Sequence, residues 1–571
     1  MNGKHYKFFI LLILLSGLIL RLWFLSDLRS NTYLGNIRIS DAKSYHDMAL
    51  SLISGEYDNS IPFWQAPFYP FLLAVFYRVL GDSFLVVQLL HIFIGCLNGY
   101  LLFLLTEKIF NQRTALLSMM IAVFYFPFIL FDTQALAVNS IILLNLLTLI
   151  YLERFAESGK YFFLGTAAFC LGASIISHGL SIFAIPVIAV WILKRMSRKI
   201  SNDFDMSPFR AVVLFFVIVS IAPAIVSFRN SIVSKEVTFI SLNSGTNLYI
   251  GNHPDFETKF NIRNGVEWRA LRLEALSAGA FTPAEKNRYF LEQALKNVIS
   301  HPVAVLFTGL KKIVISFSGD EISRNFPIDP LRKHSNAAGV LLWKWTISGV
   351  PVFAFPTGLV LPLSIMGFLI FSFNTIQSRR VYFSGILPGL VAFSYIFGMI
   401  LFFPCTRYRL PAICLLIPYA SYCIFKVYDA ALEIRRGKPL RERSMGIIYG
   451  FIFIFLYFFS NVLGPLNAPR DPKMELAEHL LFQGAWHIKA GRESNDKERI
   501  ERGNHLYEQA TLIDPGYLQA LHNLGYVYLN QKHQPEKAKA CFEKIIGRLP
   551  RNSPLIPVYR DFIDKIDLRK K

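Results

Sequence analysis

Cysteine is scarce, with six in 571 residues (Cys96, Cys170, Cys405, Cys414, Cys423 and Cys541). Most lie in apolar runs and none is paired at metal-site spacing, so no cysteine metal cluster is legible and the redox compartment stays open. Acid is also short, with 39 Asp and Glu against 59 Lys and Arg, a formal charge of +20. In a soluble chain that balance would suggest nucleic acid. Here much of the excess falls in loops between apolar runs, where positive residues hold loops beside anionic lipid, so no nucleic-acid partner is expected. The N-terminus has a basic start but no small-residue cleavage site, and its apolar run is long, which reads as an uncleaved anchor. What the chain has in excess is apolar residue: 53% hydrophobic, 15% aromatic and 52 phenylalanines. A soluble domain does not need that much; a polytopic membrane protein does.

Runs long enough to span occur near 7–25, 84–110, 115–131, 136–155, 161–177, 180–193, 211–228, 350–373, 381–403, 410–425 and 445–463, so about eleven transmembrane helices are expected. With Lys4 and Lys7 cytoplasmic, Lys108/Arg113, Arg154/Lys160, Lys194 to Lys199, Arg379/Arg380 and Arg435 to Arg443 all fall inside, as the positive-inside rule demands. The opposite, extracytoplasmic side then receives a first loop (28–83), the Asp132–Gln134 turn, Ser177–Gly179, a long segment (229–345), Thr406–Arg409 and the tail. Polar groups at span ends thus collect on one side, and such groups near a membrane tend to be functional.

The first outer loop holds Asp41, Lys43, Tyr45, His46 and Asp47, with Pro62, Pro67 and Pro70 fixing its path. Tyr45, Met48, Ala49 and Leu52 recur at helical spacing, so Asp41 is expected at the start of a short interfacial helix. A helix N-terminus favours an anion there. In the long segment, Gly245 and Gly251 suggest tight turns. Residues 285–299 and 302–317 read as helices, the second amphipathic and carrying Lys311 and Lys312, which are either phosphate ligands or lipid-facing anchors.

The membrane part, about residues 5–430, resembles the GT-C glycosyltransferases of the protein O-mannosyltransferase and aminoarabinose-transferase type (family 39). The residues that carry the resemblance are Asp41 with Tyr45, Gln65-Ala-Pro-Phe-Tyr-Pro70, Asn243-Ser-Gly-Thr-Asn-Leu-Tyr-Ile-Gly251, Glu321-Ile-Ser-Arg-Asn325 and Arg407-Tyr-Arg-Leu-Pro411. It implies a polyprenyl-phosphate sugar donor, transfer outside the cytoplasmic (inner) membrane, and a lipid, glycan or protein acceptor. Such a transfer needs a base for the acceptor hydroxyl and cations for the departing phosphate. By matching the family's first-loop acid, Asp41 is the implied base; the alternative is an N-cap without catalytic work. Many members carry an adjacent second acid, but position 42 is alanine here, which puts a carboxylate pair for a divalent cation in doubt. The family motif marks Arg407, and with it Arg409, for donor phosphate; headgroup anchoring is the alternative. Asp132 sits where related enzymes often carry an acid and is read as assisting Asp41 or binding a divalent ion, or equally as a turn residue. Tyr45, Gln65, Tyr69, His178, Asn243, Asn247 and Glu321 are expected around the substrate pocket, His178 alternatively as a structural histidine. Metal ligands stay unassigned, since His46 and Asp47 lack dense ligand spacing.

Beyond about residue 465 the composition turns soluble. Tyr507, Ala510 and Pro515 recur as Phe542, Ile545 and Pro550, a period of about 35 residues against about 34 for tetratricopeptide repeats. Residues 474–555 resemble a small unit of that kind, so 1–465 is expected as the transferase domain and 466–571 as a helical domain on the active side, open to a protein partner. Two other function classes compete: an O-antigen ligase or polymerase, and a transporter or scaffold with a repeat receptor. The transporter predicts inverted repeats, which the sequence does not display.

Overall fold

The computed structural model describes residues 3–197, 206–377, 383–435 and 440–568. Of the basic loop residues expected on the cytoplasmic side, Arg198, Lys199, Arg379, Arg380, Arg436 and Lys438 lie outside the described residues. The chain is mainly helical, and eight described helices are long and apolar enough to cross a membrane: His5–Asn31, Phe84–Ile109, Val138–Ser158, Gly179–Ser197, Pro208–Ser234, Thr357–Thr375, Thr406–Leu432 and Ile448–Leu466. The other expected spans take different forms. The 115–131 run is two helices, Gln112–Phe124 and Phe126–Asp132, bent by 55° with Pro127 in the first turn of the second. Tyr161–Ile175 and Gly385–Leu401 are shorter apolar helices. The 350–373 run divides: Val350–Phe355 is a strand, paired antiparallel with Trp343–Ile347, and the helix begins only at Thr357. An apolar run shorter than a full span cannot by itself distinguish strand from helix, and Val and Phe favour the strand.

Burial separates central spans from peripheral ones. The most apolar stretches of Thr406–Leu432 and Val138–Ser158 are 72% buried, against 22% for His5–Asn31 and Pro208–Ser234 and 17% for Ile448–Leu466. The last three are apolar all round with little protein over them, so lipid is their partner. One buried polar link ties the first span inward: Arg21 Nε donates to Asp132 Oδ2 at 2.6 Å and its Nη1 to the Val123 carbonyl at 2.7 Å. Gly95 makes room for it, since a Cβ there would lie 2.2 Å from the Asp132 carboxylate.

Gly245 and Gly251 do not make turns; both lie in the helix Ser244–Gly251. They admit close neighbours instead, because a Cβ would sit 2.1 Å from the Asn287 carbonyl oxygen and 1.8 Å from that of Phe402. The helices Pro283–Ser300 and Pro302–Ser316 meet at 105°. Val303, Leu306, Phe307 and Leu310 are exposed along the second, a face suited to a lipid surface.

In the tail, Pro472–Glu493, Lys497–Ile513, Leu518–Asn530, Pro535–Arg548 and Leu555–Leu568 pack each on the next. Leu481, Tyr507, Leu521, Leu524, Phe542 and Ile545 form their core, joined by Val266 from the long segment. The tail also grips the first span's end. Gln483 accepts from the Tyr33 N–H at 3.1 Å and donates to the Asn31 carbonyl at 2.8 Å.

Candidate active site

Asp41 is the first residue of the helix Asp41–Ser54. Ser40 before it has φ +50° and offers no side-chain cap. The Asp41 carboxylate does not cap the helix; it faces three donors from distant parts of the chain. Gln65 Nε2 donates to Oδ1 at 2.7 Å. Asn325 Nδ2 and Arg407 Nη1 donate to Oδ2 at 2.9 and 2.7 Å. The side chain keeps 26% of its surface exposed, so it is held and still reachable. Burial pushes its pKa up, but the Arg407 charge and the Asn325 and Arg407 hydrogen bonds outweigh that and hold it below the usual carboxylate range.

The second half of the site is set by a buried latch. Thr406 Oγ1 accepts from the Ile322 N–H at 2.7 Å, and the Thr406 N–H donates to the Ile322 carbonyl at 3.0 Å. Glu321 accepts from Thr357 Oγ1 (2.5 Å), Thr406 Oγ1 (2.7 Å) and Arg409 Nη2 (3.0 Å). Arg409 also donates to the Ser318 carbonyl at 2.5 Å and the Asp320 carbonyl at 2.8 Å. This network aligns residues 318–325 with the start of the Thr406–Arg435 helix, so Asn325 and Arg407 arrive together at Asp41. Arg409 and Glu321, expected at phosphate and substrate, are thus consumed inside the protein, each side chain 1% exposed.

Two cavities share the wall made by Asp41, Gln65, Asn243, Asn247, Arg407 and Tyr408. One, about 340 Å³, is mostly apolar, with Val138, Ile141, Leu180, Ile182, Phe183 and Phe239 in its lining. The other, about 260 Å³, is mostly polar and reaches Ser40, Ser44, Asn264 and Asn325, with Trp64 and Trp268. Tyr45 and His178 line the apolar cavity. The His178 ring lies 4.6 Å from that of Tyr408. Burial, then the Arg407 charge, pushes His178 down to about 3, so it is neutral at physiological pH.

Four other expected site residues lie elsewhere. Asp132 is locked to Arg21 and lines neither of these cavities. Tyr69 is buried behind Tyr45 and hydrogen-bonded to His91 Nε2 at 3.0 Å. Lys311 pairs with Glu257. Lys312 donates to the Gly251 carbonyl at 2.9 Å and to Asn252 Oδ1 and the Phe402 carbonyl at 3.2 Å each. Both lysines hold the protein's own acceptors instead of facing a phosphate. The structure adds Asn325, Tyr408, Trp64, Asn264 and Trp268 to the site. Asn325 and Tyr408 lie inside the quoted motifs and Trp64 directly precedes Gln65, where one of them begins; nothing in the sequence marks Asn264 or Trp268.

The tail reaches this site at the loop that leads into the helix Val266–Ser277. Arg263 Nη1 donates to Asp514 Oδ2 at 2.6 Å, and its guanidinium lies 3.8 Å from the Tyr517 ring centre. The Val266 N–H donates to Gln519 Oε1 at 2.9 Å. Gly265, at φ +101°, permits that approach, since its Cβ would fall 2.0 Å from the same oxygen. Asn264 and Trp268, on either side, line the polar cavity.

A divalent cation fits this donor set poorly. Asp41 has a guanidinium beside it in place of a second carboxylate, and no three His, Cys, Asp or Glu side chains converge among the described residues.

Architecture and composition together define a multi-pass helical membrane protein. The sequence model of the dolichyl-phosphate-mannose-protein mannosyltransferase family matches residues 64–225, a stretch holding Gln65 and His178 but neither Asp41 nor Arg407. No curated protein sequence matches the chain. Among solved structures, it is similar to the apo oligosaccharyltransferase of Archaeoglobus fulgidus at 12% identity and TM-score 0.41, covering 86% of this chain and 60% of that one. The archaeal enzyme AglB from the same organism, in complex with an inhibitory peptide and a dolichol-phosphate, matches at 11% identity and TM-score 0.38, again over 86% and 60%. ArnT from Cupriavidus metallidurans bound to undecaprenyl phosphate matches at 14% identity and TM-score 0.32, over 81% of this chain and 88% of that one. The chain thus spans about 60% of the length of the archaeal enzymes it matches.

Proposed function

We propose that this protein is a glycosyltransferase that moves a sugar from a polyprenyl-phosphate donor to an acceptor hydroxyl. The observation that carries the reading is the Asp41–Arg407 pair standing in the wall between an apolar and a polar cavity. The family match over residues 64–225 supports it.

The apolar cavity takes the lipid end of the donor, with Arg407 on its phosphate. The acceptor hydroxyl enters from the polar side. Its oxygen bonds to the anomeric carbon as the bond from that carbon to the phosphate oxygen breaks, and the electron pair leaves with the polyprenyl phosphate. The hydroxyl proton goes to the Asp41 carboxylate. A single displacement of this kind inverts the anomeric centre. As Arg407 turns to the phosphate, Asp41 loses its strongest stabilising partner and becomes a better base at the step that needs one. Arg407's fork suits phosphate oxygens better than a lysine would.

In this reading the site faces outward from the cytoplasmic membrane. The support is the basic short loops at Lys108/Arg113 and Arg154/Lys160, at the span ends away from Asp41, where Lys108 also pairs with Glu157 at 2.7 Å. The tail, which resembles tetratricopeptide repeats, serves as a brace for the acceptor side through Arg263, and its surface is open to a protein partner.

The test is full-length protein in lipid nanodiscs, with undecaprenyl phosphate as competitor and undecaprenyl-phosphate sugars as donors. Saturable undecaprenyl phosphate binding that weakens in Arg407→Ala is expected. A folded protein that binds none overturns the reading.

A further inference from the structure

We infer that the polar cavity is a saccharide subsite, so that the acceptor hydroxyl belongs to a glycan or glycolipid sugar instead of a protein side chain. This rests on the glycosyltransferase reading above for its catalytic meaning, and on the cavity's own chemistry for its ligand class.

The lining brings together five amides, Gln65, Asn243, Asn247, Asn264 and Asn325, and three hydroxyls, Ser40, Ser44 and Tyr408. An amide offers a donor and an acceptor side by side, and a sugar hydroxyl is itself both, so the two match in pairs. Trp64 and Trp268 add flat apolar faces, one on each side chain, with no protein hydrogen bond to either indole N–H among the described residues. A pyranose presents just this mixture: a rim of hydroxyls around an apolar C–H face, the amphipathic contact that indoles favour.

Two common ways of holding a peptide are missing among the described residues of the same cavity. Strand addition needs a free strand edge, and the strand pair at Trp343–Phe355 contributes nothing to this lining. A helical peptide needs an apolar groove, and this cavity is mostly polar. Asp41 is its only carboxylate among the described residues, whereas Arg324 and Arg407 also reach it, so neutral or acidic sugars fit better than cationic ones. At about 260 Å³ it is close to the small end of ligand sites, about 300 Å³, which suits a sugar ring or two.

Two of these residues flank a braced helix start, Asn264 in the loop before the helix Val266–Ser277 and Trp268 in its first turn. Ser40 Oγ reaches Asn264 Oδ1 at 3.5 Å, and the Arg263–Asp514 and Val266–Gln519 contacts fix the chain around it. Trp268 and Asn264 are therefore assigned as specificity-determining residues. In the transfer, the bound sugar's hydroxyl loses its proton to Asp41 while its oxygen replaces the donor's phosphate oxygen at the anomeric carbon.

The experiment is saturation-transfer NMR on the full-length protein in nanodiscs, using methyl glucoside, methyl galactoside, methyl mannoside and methyl glucuronide, beside a short Ser/Thr peptide. Saturation should reach the C–H protons of at least one pyranoside. Trp268→Ala should weaken that binding by roughly tenfold, with Trp268→Phe retaining most of it, on the scale of one aromatic contact. Each variant must keep undecaprenyl phosphate binding, which shows that it is folded. The inference is overturned if no pyranoside binds the parent, if Trp268→Ala binds sugar unchanged, or if the peptide alone binds in a Trp268-dependent way. Sugar binding beside absent undecaprenyl phosphate binding, with folding then followed by thermal melting, overturns the donor reading and leaves the saccharide site standing.

Discussion

Arg407 Nη1 reaches Asp41 Oδ2 at 2.7 Å across 366 positions of sequence, so the acid of the first loop and the cation of a late span form one unit. Arg407 is the main charge acting on Asp41, and each has a separate task once a donor arrives.

Asp41→Asn should keep donor binding and lower sugar transfer by roughly a hundredfold or more, the scale of a lost general base. Because the native pKa of Asp41 is depressed, its stabilising contribution is present at neutral pH. It is lost as pH falls through that lowered value. The melting-temperature gap between parent and Asp41→Asn should therefore be largest near neutrality and close in acid. Near-normal turnover by a folded variant would remove Asp41 from the chemistry.

Arg407→Lys preserves the charge and loses the fork, so a partial loss of undecaprenyl phosphate affinity is expected, and a deeper one for Arg407→Ala. Competition binding decides this. Equal affinity in all three proteins contradicts the assignment.

Asp132 should matter for stability alone. Asp132→Asn leaves Arg21 buried without its counter-charge, a loss of about 3–5 kcal/mol for breaking such a pair. Replacing both partners with apolar residues should recover much of it. Melting of Asp132→Asn and of the Arg21→Met/Asp132→Leu double variant measures the difference. A fully stable Asp132→Asn protein that has lost transfer would return Asp132 to the mechanism.

Glu475, at the start of the tail, is pushed up to about 7 by burial and then by the nearby Asp329 charge. Its folded pKa lies above the unfolded value of about 4.3. The stability it contributes is thus complete below that unfolded value and disappears as pH rises through about 7. Parent protein should melt at a lower temperature at pH 8 than at pH 6 (about one unit either side), and Glu475→Gln should flatten the dependence. Parallel pH profiles for the two would discard this account.

Asp514→Ala removes the tail's carboxylate from Arg263. Loosening of the Asn264–Trp268 wall should raise acceptor KM several-fold while undecaprenyl phosphate binding stays unchanged. Steady-state kinetics with varied acceptor reads this out, and an unchanged KM removes the brace. Full removal of the tail is a harsher test, because it also uncovers Tyr33, which is 0% exposed.

The legible part of this protein lay in local patterns. Apolar runs located most membrane helices because lipid demands a length of continuous apolar surface whatever the fold. The helical spacing after Asp41 placed its helix, and short motifs marked Gln65, Asn243, Asn247 and Arg407, all of which line the shared wall. Where local pattern was ambiguous it misled: Val350–Phe355 had the composition of a span and formed a strand, and Gly245 and Gly251 served helix packing.

Local pattern was enough for a helical membrane protein and a first loop with an acid at a helix start. It could not assign partners, because a charged side chain reads the same whether it faces a ligand or another side chain. Arg409 and Arg407 are two residues apart in one motif, yet Glu321 and two carbonyls occupy the first and Asp41 the second. Folding separates the two. A helix turns successive residues to different faces, so one arginine enters the buried latch while its neighbour reaches the cavity wall. The same holds for Asp132 and Asp41: one is neutralised by Arg21 inside the bundle, and the other stays open to both cavities.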